Sequence, residues 1–210
     1  MSDRPLTPAQ AWAALRTGNE RFVAGAMEHP SQDAARRDQL TAAQHPFAVV
    51  FGCSDSRVAA EIIFDQGLGD VFVVRTAGHV LDTTVIGSIE YGVTVAGASL
   101  VVVLGHDSCG AVGAATAALA HAQIPPGFVR AVVDRVIPSI VGLVSEGTDL
   151  STLDPAVLGT EHVRHTVQML QGYSVSLAER VAAGSCAIIG VEYALDDGRV
   201  RVVQVAGDVG

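Results

Sequence analysis

The sequence predicts a single α/β domain spanning residues 1–210. It has a mainly parallel central sheet of four strands, an antiparallel fifth strand at the edge, flanking helices and a helical arm over residues 1–45. Three observations predict this class. The runs Phe47-Ala48-Val49-Val50-Phe51-Gly52, Val71-Phe72-Val73-Val74 and Leu100-Val101-Val102-Val103-Leu104 are short and almost wholly apolar, as strands buried on both faces are. Helix-like stretches separate them, as right-handed crossovers between parallel strands require. No repeat, low-complexity tract or linker divides the 210 residues, a length that fits one large core.

Taken in order, Thr7-Pro8 is a helix start: a capping hydroxyl followed by proline in the first turn. Trp12, Leu15, Phe22 and Val23 fall near one face of the helix that follows, and Gly25 is its stop. A second, more polar helix is expected over 34–43. The arm has little apolar material of its own, so it is expected to lie along a partner subunit. Helices over 59–65 and 83–94 link the first three strands, and an alanine-rich helix over 109–121 follows the third. Residues 126–183 read as mostly helical, with breaks near Pro138, Gly147 and Pro155. A fourth strand over 186–193, the turn Asp196-Asp197-Gly198 and a return strand over 200–205 make an antiparallel edge.

Composition narrows the function. The formal net charge is −9 with no basic stripe, which excludes nucleic acid as an expected partner. The chain is 49% hydrophobic and only 17% charged, which points to apolar surface covered by a second copy. Three cysteines, Cys53, Cys109 and Cys186, are too few and odd in number for a disulfide framework and fit a reducing compartment. No basic segment followed by an apolar stretch marks a leader, and the apolar runs are too short to cross a bilayer. A cytoplasmic protein without membrane contact is expected.

The chemistry is concentrated in Cys53-Ser54-Asp55-Ser56-Arg57 and His106-Asp107-Ser108-Cys109. Two thiolates and an imidazole are a donor set that Zn²⁺ favours. In an open parallel sheet, ligands collect at the carboxyl ends of the strands. Cys53 follows the first strand and His106 follows the third, past Gly105, so the topology delivers both to one edge. Ser108 is expected to cap the next helix and to place Cys109 in its first turn, where free amides favour a thiolate. A carboxylate and a guanidinium beside the first thiol, Asp55 and Arg57, are unusual for a purely structural site and suggest a catalytic metal with a gate.

This pair of motifs resembles the β-class carbonic anhydrase signature, and the resemblance extends through Gly18-Asn19-Glu20-Arg21-Phe22, Val73-Val74-Arg75, Ser88-Ile89-Glu90-Tyr91 and Leu104-Gly105-His106. It implies zinc held by Cys53, His106 and Cys109, with Asp55 as a conditional fourth ligand and an Asp55–Arg57 dyad as the gate. It implies reversible hydration of CO₂ to bicarbonate and a proton by a zinc-bound hydroxide. Two thiolates would cancel the formal charge of the ion, so bound water is expected to be less acidic than in a three-histidine site and activity to rise on the alkaline side. Gln44 resembles the substrate-side amide, Phe72 and Tyr91 the pocket lining, and Gly110 the small residue beside the ligand cysteine. A homodimer or tetramer with its cleft at the subunit interface is implied as well. Some members carry a bicarbonate-binding regulatory pocket with a tryptophan where this chain has Val50. Although Arg75 matches that pocket's arginine, the pocket is not expected here.

Three other readings stay open on the sequence: a CS₂ or COS hydrolase on the same scaffold, a non-catalytic zinc or bicarbonate-sensing module, and a redox protein pairing Cys53 with Cys109. Of the remaining candidates, Cys186 reads as a core thiol. His162 and His165, three apart beside Glu161 and Arg164, read as a solvated helix face. His79 and His121 read as capping or surface histidines rather than proton relays.

Overall fold

The computed structural model describes residues 6–145 and 154–210. Five strands form one sheet in the order β2-β1-β3-β4-β5: β1 (Ala48–Cys53), β2 (Val71–Thr76), β3 (Leu100–His106), β4 (Ala187–Tyr193) and β5 (Val200–Ala206). β1 runs parallel to β2 and β3, β3 parallel to β4, and β5 returns antiparallel to β4. The predicted architecture is therefore the observed one. Two strands run further than their apolar patterns indicate. Cys53 and His106 are the last residues of β1 and β3, where the sequence suggested loop positions just beyond them.

The helices are α1 (Pro8–Val23), α2 (Ala34–Gln39), α3 (Ala60–Ile63), α4 (Thr83–Thr94), α5 (Gly110–His121), α6 (Val129–Ser145), α7 (Pro155–Tyr173) and α8 (Val175–Ala182). Thr7 caps α1 through a reciprocal bond with Gln10. α2 stops at Gln39, short of the expected Ala43; none of its residues is buried, so no apolar face extends it. Pro138 does not break its helix: α6 runs through it. The break expected near Gly147 lies outside the described residues, and Pro155 opens α7 at a first-turn position that proline tolerates.

The sheet is covered on both faces, as its continuous apolar strands require. Val50, Val102, Leu104 and Ile189 pack with Trp12 and Leu15 of α1 and with Ile63 and Phe64 at the end of α3. Val49, Phe51, Val101, Val103 and Ile188 pack on the other face with Ile89 of α4, Val163 and Val167 of α7, and Leu177 of α8. The apolar face of α1 is thus taken up by its own chain, and any packing of the arm on a partner would use its other side. A third cluster, from α5, α6 and the start of α7, gathers around Cys53 and Cys109.

Two glycines set how closely α7 approaches the sheet. A Cβ on Gly105 would lie 2.3 Å from Val163 Cγ2, and one on Gly190 would lie 2.7 Å from Val163 Cγ1. The bare backbone of β3 and β4 is therefore the seat for Val163. This close seat brings the neighbouring His162 into the layer beneath the carboxyl edge of the sheet.

Candidate metal centre

The carboxyl edge of the parallel strands carries the donors. Cys53 ends β1, His106 ends β3, and Cys109 stands at the N-cap of α5. The Cys53 and Cys109 sulfurs and a ring nitrogen of His106 all lie within 4.8 Å of one another, and all three residues are buried. Ser108 takes a left-handed conformation, φ 52°, to turn the chain from β3 into α5. The cap is therefore Cys109 rather than the expected Ser108, and the amides of Ala111 and Val112 in the first turn favour a thiolate there.

Each donor is held by its surroundings. His106 Nδ1 lies 2.7 Å from the Asp107 carbonyl, which fixes the proton on Nδ1. Nε2 is then a lone pair, and among the described residues it is buried without a hydrogen-bond partner. A buried imidazole nitrogen with no partner, facing two sulfurs, is what a metal ligand looks like in the protein alone. Cys53 Sγ accepts the Gly78 N–H at 3.2 Å. The Cys53 carbonyl accepts Arg75 Nε at 2.9 Å, and Arg75 Nη2 donates to the Asp55 carbonyl at 2.7 Å. Arg75, which family resemblance alone would assign to a regulatory pocket, here pins the backbone on either side of Ser54.

The electrostatics suit a cation. Hydrogen bonding from the Cys109 thiol, together with the backbone N–H groups of Asp55 and Gly78, lowers Cys53 to about 4 against the cost of burial. The same contact with Cys53, together with burial, pushes Cys109 upward. Ionising both sulfurs needs compensating charge, which a divalent ion between them would supply. The donor set, the partnerless Nε2 and the mutual distances all fit zinc.

Asp55 and Arg57 form a forked pair beside the donors. Arg57 Nε donates to Asp55 Oδ1 at 2.9 Å and Nη2 to Oδ2 at 2.8 Å, while the Arg57 amide bonds Oδ1 at 2.9 Å. These bonds hold the Asp55 carboxyl well below the usual carboxylate range. Asp55 Oδ2 is also 4.0 Å from His106 Nε2, so the carboxylate stands at the rim of the donor triangle. A cleft of about 590 Å³ opens over His106, Cys109 and Gly110, with Val112, Leu158 and Glu192 in its walls. A Cβ on Gly110 would meet nothing within 4 Å, so the first turn of α5 leaves open space there.

The other expected pocket residues lie elsewhere in the chain. Gln44 is exposed in the loop before β1. Phe72 and Tyr91 stack with ring centroids 6.0 Å apart. Phe72 pairs with Val49 and Thr76 with Cys53, so Phe72 sits four strand positions, or about 13 Å, back from the donors. One chain does not bring these three residues to the metal position.

Two histidines differ from the sequence expectation. His162, read as solvent-facing, is buried and hydrogen-bonded at both ring nitrogens. His79, read as a cap or surface residue, is buried with neither ring nitrogen partnered among the described residues, and its ring lies 4.3 Å from that of His162. The signal for His162 was present in the helical spacing of Val163, Thr166, Val167 and Leu170, which places position 162 on the same buried face. His121 is exposed, as expected. Cys186 is a fully buried core thiol, also as expected, and burial pushes it up to about 11.

His162 gives a pH prediction. Burial lowers it from 6.5 to about 4. The unfolded chain takes up this proton near 6.5 and the folded chain only near 4, so between those values the unfolded state binds more protons. Stability from this source is complete above about pH 6.5 and falls as the pH drops toward 4, by on the order of 3 kcal/mol. Urea unfolding of wild type and His162→Gln across this window should show a shallower pH slope for the variant; equal slopes would contradict the assignment.

Comparison with known proteins agrees with the geometry. A family model described as carbonic anhydrase matches residues 48–200. The chain is 57% identical over 203 residues to carbonic anhydrase 2 of Mycobacterium tuberculosis, covering 97% of this chain and 96% of that protein. It is equally similar, at 57% over 203 residues and 97% of each chain, to a carbonic anhydrase of Mycolicibacterium smegmatis. Among solved structures, the β-carbonic anhydrase CafA of Aspergillus fumigatus superposes with a TM-score of 0.70 at 26% identity, covering 94% of this chain and 91% of that one. A tetrameric β-carbonic anhydrase of Sordaria macrospora shares the fold with a TM-score of 0.70 at 22% identity, covering 91% and 95%. Among the described residues no helix is long and apolar enough to cross a membrane. With its match to the family over most of its length and its Cys53–His106–Cys109 donor set, the chain belongs to the β-carbonic anhydrase family of zinc enzymes.

Proposed function

We propose that this chain catalyses the reversible hydration of CO₂ to bicarbonate at the Cys53–His106–Cys109 centre, with Asp55 and Arg57 as its gate. The observation that carries the reading is the forked Asp55–Arg57 pair standing 4.0 Å from the one donor nitrogen that has no partner. Cys53, His106 and Cys109 would hold zinc, which would supply a hydroxide nucleophile near neutral pH. Asp55, kept ionised by Arg57, accepts the hydrogen bond of that nucleophile and turns its lone pair toward the carbon of CO₂. While Arg57 holds both carboxylate oxygens, Asp55 stays off the metal. Release from Arg57 would free it to swing toward the Cys53, His106 and Cys109 donors and close the site. The open space at Gly110 lets a small, apolar substrate approach the donors.

Gln44, Phe72 and Tyr91 lie away from the donors of their own chain, which supports a cleft completed by a second subunit. A homodimer or a tetramer would bring them to the partner's centre. The 1–45 arm, with its Trp12 face already covered, would contribute its other surfaces to that contact. The Sordaria macrospora relative is described as tetrameric. Three free, buried cysteines support a reducing, cytoplasmic setting.

The test is stopped-flow CO₂ hydration by zinc-loaded protein from acidic to alkaline pH, with zinc content measured on the same sample. One zinc per chain and a rate that climbs toward alkaline pH are expected, and a flat profile would count against the Asp55 gate. CS₂ turnover above CO₂ turnover would point to a hydrolase. Zinc without any turnover would point to a sensing module, and absence of zinc with a Cys53–Cys109 disulfide to a redox protein.

A further inference from the structure

Gly78 links the metal centre to the two helices behind it. Its N–H donates to Cys53 Sγ at 3.2 Å. Its carbonyl lies 2.8 Å from Nε2 of His162, on α7. The other ring nitrogen, Nδ1, lies 3.0 Å from Ser139 Oγ, on α6. The ring of His79 covers that of His162, with centroids 4.3 Å apart and planes inclined by 36°.

The hydrogen-bond chemistry settles the direction of this chain. A carbonyl only accepts, so the contact with Gly78 requires the proton on Nε2. Burial keeps His162 neutral, lowered to about 4, so Nδ1 carries no proton and must accept from the Ser139 hydroxyl. Ser139 Oγ also donates to the Val136 carbonyl at 2.6 Å, so its single proton is shared between that carbonyl and Nδ1. The Gly78 contact thus fixes the His162 tautomer, and Ser139 is the weaker, shared partner on the other side of the ring.

The turn needs such a hold at His79, whose φ of 39° is uncommon for a non-glycine residue; Gly78 before it takes its left-handed φ of 64° freely. A Cβ on Gly78 would lie 2.5 Å from Ala111 Cβ, so the turn is wedged against the first turn of α5. Side-chain bonding must keep the turn in place because its backbone conformation is not intrinsically favoured.

We propose that His162 is a positioning residue for the metal centre: its Nε2–H bond fixes the Gly78 turn and so aims the Gly78 N–H at the Cys53 sulfur. The inference rests on Cys53 ligating zinc, as proposed above. An N–H bond to a coordinating thiolate draws charge from the sulfur and restricts its motion. Residues of this outer kind typically change metal affinity by roughly 10- to 100-fold.

The experiment compares wild type with His162→Leu, His162→Gln and Ser139→Ala. It reads the thiolate-to-metal charge-transfer absorption of the cobalt(II)-substituted proteins and the rate of zinc loss to a chelator. Glutamine can place an N–H near the position of imidazole Nε2–H; leucine cannot. His162→Leu should shift the absorption band and speed zinc loss by roughly tenfold, His162→Gln should stay within about threefold of wild type, and Ser139→Ala should move both readouts in the leucine direction by less. An unchanged band and rate in His162→Leu, or a glutamine variant as impaired as the leucine one, would overturn the proposal. If His162→Leu fails to fold, the other two decide it: a wild-type-like glutamine variant with faster zinc loss in Ser139→Ala supports it, and wild-type behaviour of Ser139→Ala overturns it. Absence of a charge-transfer band in wild type would instead remove the ligand role of Cys53 and this inference with it.

Discussion

His106→Ala is expected to lose zinc and, with it, CO₂ hydration. His106 supplies the only nitrogen of the donor set, and its Nε2 has no other partner. Zinc sites built from protein donors bind with on the order of 10–16 kcal/mol in total. Removing one donor of three costs roughly a third of that, about 4 kcal/mol, or about a thousandfold in affinity. Metal analysis after dialysis should find little zinc, and circular dichroism should show the fold retained, because the sheet is held by strand pairing that does not pass through the His106 side chain. Retention of stoichiometric zinc and activity would refute the assignment of the centre.

Asp55→Asn separates holding metal from using it. The side chain keeps its size but loses its charge, so the forked bond with Arg57 is broken and the nucleophile loses its acceptor. Zinc content should stay at one per chain, since Cys53, His106 and Cys109 are untouched. The maximal hydration rate should fall by about 10²- to 10⁴-fold, the usual contribution of a positioned proton-accepting group. Because the lost interaction belongs to the reacting step, kcat and kcat/KM should fall together. A variant with wild-type turnover would show that Asp55 does not orient the nucleophile.

Much of this centre was legible in the sequence because its parts are local. Continuous apolar runs marked the buried strands, and the strand ends located Cys53 and His106 on one edge before any coordinates. Asp55 and Arg57, two residues apart, pair as their proximity suggests. What was not legible depends on how distant segments pack. His162 looked solvated because Glu161 and Arg164 flank it, yet the close seating of α7 buries it. His79 looked like a surface residue, because nothing in the local text shows that the turn after β2 is folded under α5 and α7. Ser108 has the chemistry of a cap, but its left-handed backbone passes that position to Cys109. Pro138 does not stop α6, because the apolar residues Val133, Val136 and Ile140 bind the helix into the cluster around the centre on both sides of the proline.

The bare seam between β3, β4 and α7 constrains how this protein can be hardened against heat. Replacing glycine by alanine is a common stabilising substitution where the backbone allows it. At Gly105 and Gly190 the added methyl would overlap Val163, so filling these two sites should soften the fold rather than harden it. Gly87 and Gly172 are better targets: both are helical, and an added methyl meets nothing within 4 Å.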